Sequence, residues 1–181
     1  MRDVVGHLSI ASNPPRAALL YEVVRARGSY DRAMDRMSRA AAAAPVPGLV
    51  ATIRANADSR FAVAGVGPRG PLTDVLVHSV DVTVPLGAGF EADPAAVGTA
   101  LGFVTGRRAA AFVRRGRLDG LRLVAAERPD TGYGDGTEVR GPGTDLLAAA
   151  CGRAAVLDRL DGPGLPALAA RLVPAPGDPA R

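Results

Sequence analysis

Asp74 and His78 stand four residues apart in the run Pro71-Leu-Thr-Asp-Val-Leu-Val-His-Ser-Val-Asp81. In a helix that spacing brings a carboxylate and an imidazole onto one face, a turn apart. Such a pair offers oxygen and nitrogen donors to one divalent cation, with zinc the default occupant. The same spacing also suits an ordinary helix in which His78 hydrogen-bonds to Asp74 or Asp81. A third ligand has to come from elsewhere in the chain. The only other histidine is His7, which shares its segment with Val4, Val5 and Leu8, an apolar stripe at helical spacing that a bundle can lay beside a second helix. Three protein ligands would leave a fourth position for water or substrate, which is how catalytic rather than structural sites are built.

Residue usage removes many other chemistries. All 22 basic residues are arginine, so a Schiff-base lysine and a P-loop lysine are excluded. One cysteine, Cys151, allows neither an internal disulfide nor a multi-cysteine zinc site, and it suits a reducing compartment. Its neighbours Leu146, Leu147 and three alanines mark it as a small buried apolar residue rather than a nucleophile. The net charge of +4 and the pI near 10.2 could suggest nucleic acid. The distribution argues against it, because arginines alternate with acids, as in Asp31-Arg32, Asp35-Arg36 and Asp158-Arg159, and aromatics make up only 4%. One basic cluster, Arg107, Arg108, Arg114, Arg115 and Arg117, falls at the expected end of a helix, whose dipole favours cations. No apolar run reaches the roughly 20 residues of a membrane span, and the first residues carry an acid and a histidine where a signal peptide would be apolar. A cytoplasmic protein with no membrane partner is expected.

The elements that must position these residues read mostly as helices. One runs from the start to the stop at Ser12-Asn13-Pro14-Pro15. Others are expected over 16–27, from Tyr30 into the alanines at 40–44, from Leu49 to Phe61, over 71–85, and from Pro94 to Arg115. Gly65 to Gly70 reads as a loop. In the 71–85 helix, Leu72, Val75, Leu76 and Val80 recur at three and four residues; in the next, Val97, Leu101, Val104 and Phe112 point inward. After Arg117 the pattern changes. Leu121 to Ala126 reads as a strand, 128–136 as loop, Thr137 to Arg140 as a short strand, and Thr144 to Cys151, Ala154 to Leu160 and Leu165 to Leu172 as helical, before a Pro/Gly-rich tail. The expected organisation is a helical domain over 1–117 and a small α+β domain over 118–181.

The strings Val4-Val-Gly-His-Leu8, Pro71-Leu-Thr-Asp-Val-Leu-Val-His-Ser-Val-Asp81, Pro85-Leu-Gly87, Gly120-Leu-Arg-Leu-Val-Ala125, Glu138-Val-Arg-Gly-Pro142 and Gly152-Arg153 run from end to end of the sequence. Together and in order they resemble the mycothiol-dependent maleylpyruvate isomerase family of the DinB-like superfamily. The resemblance implies a mainly α fold, a DinB-like up-down four-helix bundle followed by a small α+β C-terminal domain. It implies a divalent metal held by His7, Asp74 and His78, with mycothiol as thiol cofactor and a small electrophilic molecule as substrate. In such an isomerase or S-transferase the metal-activated thiolate is the nucleophile. Asp81 matches the acid that follows the histidine in the family motif; it could orient His78, or simply be a charge near a helix end. Asp3, four residues before His7, could act likewise or favour the helix N-terminus.

Two features depart from the pattern. The family carries one more helix before its V-x-x-H-L segment, whereas this sequence opens on that segment, so the expected bundle is truncated and could pair as a homodimer. Relatives also tend to have an Asp- and Trp-containing stretch where this chain has Glu127 to Gly136, and it has no tryptophan. The alternative expectation is a non-catalytic metal-binding or interaction module.

Overall fold

The computed structural model describes residues 1–11, 13–62 and 66–172, and the chain divides into two compact units, Met1–Pro71 and Leu72–Arg181. Among the described residues it is mainly helical with one small three-stranded sheet. No helix among the described residues is long and apolar enough to cross a membrane.

The first unit holds α1 (Arg2–Ala11), α2 (Arg16–Arg25), α3 (Tyr30–Ala41) and α4 (Val46–Ala55). α1 packs on α3 and α4, and α2 on α3. The α1–α3 approach depends on Gly6, where an added Cβ would stand 2.6 Å from the Ser38 carbonyl oxygen and 2.8 Å from the Ala42 Cβ. Only a residue without a side chain lets the two backbones come so near. Arg2 then reaches across to donate from Nη2 to the Ala44 carbonyl at 2.7 Å, satisfying a carbonyl just beyond the end of α3. Ser29 caps the start of α3 by accepting from the Arg32 amide at 3.3 Å. α2 buries none of its residues fully, and Leu20, Tyr21 and Val24 stay exposed.

The expected helix over 49–61 is corrected at both ends. α4 begins at Val46, since Pro47 fits a first helical turn, and it ends at Ala55, where Asn56 caps it with its own amide and a turn follows. The expected loop over 65–70 is shorter too, because α5 (Arg69–Thr83) already includes Arg69 and Gly70; Gly65 lies outside the described residues, as do Ser12 and the tail after Leu172.

In the second unit, the buried stripe of α5 is Thr73, Leu76, Val77 and Val80, at the i, i+3, i+4, i+7 spacing of a core-facing helix. Leu76 and Val80 lie in it as expected, whereas Val75 is 43% exposed and Thr73 and Val77 are buried in addition. A 3-10 turn over Val84–Leu86 ends at Gly87, whose φ of +59° suits glycine. α6 (Pro94–Val104) starts on Asp93, whose side chain accepts from the Ala95 amide at 3.0 Å, and buries Val97, Leu101 and Val104 as expected. It does not continue to Arg115. The Thr105 hydroxyl turns back to the Leu101 carbonyl at 3.0 Å, Gly106 follows, and 105–120 form turns. The five-arginine cluster therefore lies in this turn region rather than on a helix end. Phe112 still packs inward, edge-on to Phe103 with ring centroids 5.6 Å apart.

Three strands follow, β1 (Leu121–Ala125), β2 (Gly132–Tyr133) and β3 (Thr137–Gly141), in the order β2-β1-β3. β1 pairs antiparallel with β2 and parallel with β3, Leu123 facing Tyr133 on one side and Val139 on the other. The segment 128–136, expected to be all loop, thus supplies an edge strand too short to show a period in the sequence. α7 (Gly143–Ala150) is almost wholly buried, and its first amide, Gly143 N–H, donates to both Glu127 carboxylate oxygens at 3.0 and 3.2 Å. A 3-10 segment over Ala154–Arg159 and α8 (Leu165–Leu172) complete the unit. The change from helices to strands near residue 117 falls within this second unit.

Candidate metal centre

Asp74, His78 and Asp81 lie on α5 at i, i+4 and i+7, one position round from the buried stripe, so all three share a half-buried flank. His78 Nε2 stands 3.5 Å from Asp74 Oδ1. Two ligands of one tetrahedral cation, each about 2.0–2.1 Å from it, stand roughly 3.3–3.4 Å apart, so the separation of this pair suits a shared divalent ion. On the other side of the ring, His78 Nδ1 lies 2.8 Å from Asp81 Oδ2. The carboxylate there is acceptor-only, so Nδ1 is the nitrogen that carries the proton and Nε2 presents its lone pair toward Asp74 in the neutral ring. Asp81, one of the two acids that the sequence offered as hydrogen-bond partners for His78, is bonded to its Nδ1.

Asp81 is fixed in turn from a distant part of the chain. Arg153 donates from Nε to Oδ1 at 3.0 Å and from Nη2 to Oδ2 at 2.7 Å, and from Nη1 to the Cys151 carbonyl at 3.0 Å. Arg117 reaches the neighbouring Ala150 carbonyl from Nη1 at 3.2 Å. Both guanidinium groups gather where α7 ends and exposes its last carbonyls, the position at which the helix dipole favours cations. Burial alone would raise the Asp81 carboxyl, but hydrogen bonds from His78 and Arg153 outweigh it and hold it well below the usual carboxylate range. It is a permanent anion, able to keep the imidazole in one tautomer and one orientation.

His7 sits on α1 in the first unit. Its Nδ1 is 3.0 Å from Ser38 Oγ, and that hydroxyl donates its own hydrogen to the Met34 carbonyl at 2.6 Å. With its proton committed, Ser38 accepts from Nδ1–H, so the neutral His7 ring also has its lone pair at Nε2. Asp3 lies in the first turn of α1, where an acid complements the helix N-terminus.

Cys151 is buried, and desolvation pushes its thiol up to about 11 even though Arg153 and Arg117 pull the other way. It is a packing residue here, as its apolar neighbours suggested. Ser38 and Arg153 are the site residues that sequence reasoning missed as such. Gly152-Arg153 was visible as a string, but its pairing with a carboxylate 72 residues away was not. Ser38 carried no signal beyond its place on the face of an amphipathic helix.

In comparisons with protein-family models, with curated proteins and with solved structures, no match to this chain was found.

Proposed function

We propose that the chain is a divalent-metal-dependent, thiol-dependent isomerase or S-transferase acting on a small electrophilic substrate, with His7, Asp74 and His78 as ligands and mycothiol as the thiol. The observation that carries the reading is the 3.5 Å separation of Asp74 Oδ1 and His78 Nε2, with the far nitrogen of the ring tied to Asp81. Metal-binding histidines are typically held in this way through the nitrogen that does not ligate. His7 has the matching arrangement through Ser38, and the resemblance supplies the expectation that it is the third ligand, as it supplies the DinB-like bundle and the maleylpyruvate-isomerase-like chemistry.

A bound divalent cation supplies positive charge that favours thiolate over thiol. The protein's own part is to hold the donors. Asp81 retains the proton on His78 Nδ1, Arg153 retains Asp81, and Ser38 retains the proton on His7 Nδ1. The thiol has to come from outside the chain, since Cys151 is buried and protonated at neutral pH. Addition of the external thiolate to an activated double bond forms a carbon–sulfur bond and moves the electron pair into the acceptor; expulsion of the thiolate after rotation gives the isomer.

The test is a thiol-dependent isomerase and S-conjugation assay on the purified chain with zinc, beside His78→Ala. Turnover that requires added thiol and is lost in His78→Ala supports the reading. Stoichiometric metal without thiol-dependent turnover would replace it with a non-catalytic metal-binding module.

A further inference from the structure

A second feature lies in the first unit, lined by residues other than the proposed metal ligands. A groove of about 540 Å³ runs between α2 and α3 and ends against Ile10 of α1. That volume is within the range of small-molecule sites, roughly 300–1,000 Å³. Ala18 on α2 and Ala40 on α3 line it with small side chains, and Met37 supplies an adaptable apolar floor.

Its charged walls are uneven. Arg36 donates from Nε to Glu22 Oε2 at 2.7 Å and from Nη2 to the Glu22 carbonyl at 3.0 Å, a half-buried pair that cancels the groove's one carboxylate. Arg25 and Arg39 remain. Arg25 touches Glu22 only at 3.4 Å with its side chain 61% exposed, and Arg39 meets Asp35 at 3.1 Å with its side chain 70% exposed. Exposed pairs of this kind contribute little, so either guanidinium can exchange its partner for a ligand anion at small cost. The excess charge of the protein is concentrated here as well: the first unit carries ten arginines against five acids, the second twelve against thirteen. An apolar floor under two exchangeable arginines selects a molecule that is apolar at one end and anionic at the other.

We propose that this groove binds a small anionic amphiphile, a single carboxylate on an apolar body, with Arg25 and Arg39 taking the anion and Ile10, Ala18, Met37 and Ala40 the apolar part. The proposal is independent of the metal centre.

Calorimetric titration of the whole chain with decanoate, kept below its micelle concentration, tests it. Saturable binding of one decanoate per chain is expected. It should weaken at least about tenfold, or roughly 1.4 kcal/mol, in Arg25→Gln/Arg39→Gln, and stay within about twofold in Arg54→Gln/Arg60→Gln, which removes the same charge outside the groove. Decanol should bind at least about tenfold more weakly than decanoate. Ala18→Met, which narrows the floor without altering charge, should also weaken decanoate and serves if the charge variant does not fold. Absence of saturable binding, equal binding of decanol, or equal weakening by the Arg54/Arg60 pair would overturn it.

Discussion

Arg153 grips the Asp81 carboxylate with two nitrogens, Nε at 3.0 Å and Nη2 at 2.7 Å, although the two residues are 72 positions apart. The contact joins the end of α7 to the flank of α5 that carries Asp74 and His78. Whatever holds α7 in place therefore also sets the orientation of the His78 ring.

Arg153→Ala should loosen Asp81 and with it His78, weakening metal affinity by about 10–100-fold while leaving all three proposed ligands present. Arg153→Lys should recover only part of this, because an ammonium cannot supply the fork that meets both carboxylate oxygens. Competition against a chromophoric zinc chelator checks both variants. Affinities equal to wild type would show that Asp81 orients His78 without help.

Gly6→Val should separate α1 from α3, since its Cβ alone would overlap the Ser38 carbonyl and Ala42. A loss of about 1–3 kcal/mol is expected in urea denaturation, together with weakened metal binding as His7 moves off Ser38. Unchanged stability would mean the helices can part freely there.

Much of this was legible from residue types alone. Proline and glycine punctuation places α1, α2 and α3 within a few residues of where they lie, and Leu76 and Val80, at helical spacing in the 71–85 segment, are buried on α5. What failed was local chemistry that periodicity does not report. Gly106 and the back-bonded Thr105 stop α6 early, and β2 is two residues of backbone pairing with no side-chain pattern. At the candidate site, Asp74, His78 and Asp81 could be placed together because one helix carries them. Arg153 and Ser38 could not, since their partners are distant in sequence and no spacing rule reaches that far.

Cys151 should resist alkylation in the native protein. With its thiol near 11, thiolate at pH 8 is only about one part in a thousand, and the sulfur is buried as well. Native protein treated with iodoacetamide should stay unmodified by mass, and label on unfolding. Thiol-dependent activity should survive in Cys151→Ala; its loss would make the protein's own cysteine the nucleophile.

Asp145 shows a less intuitive pH dependence. Burial raises its carboxyl above the ordinary 3.8, although Arg159 lies 2.9 Å away and favours the charge. A raised carboxyl contributes stability below its unfolded value, and loses it as pH rises through the folded one. Asp145→Asn, which stays neutral, should therefore gain on wild type between about pH 3 and pH 7. Melting temperatures of both proteins across that range check the sign, and a widening deficit of the variant at neutral pH would show that the ion pair dominates.

The most direct test of the central proposal is the metal content of the purified chain after incubation with zinc and removal of excess, wild type beside His7→Ala and His78→Ala. About one divalent ion per chain in wild type, lost in both folded variants, is the predicted result. Folded wild-type protein that takes up no metal, or a His78→Ala variant that keeps it, would contradict the account.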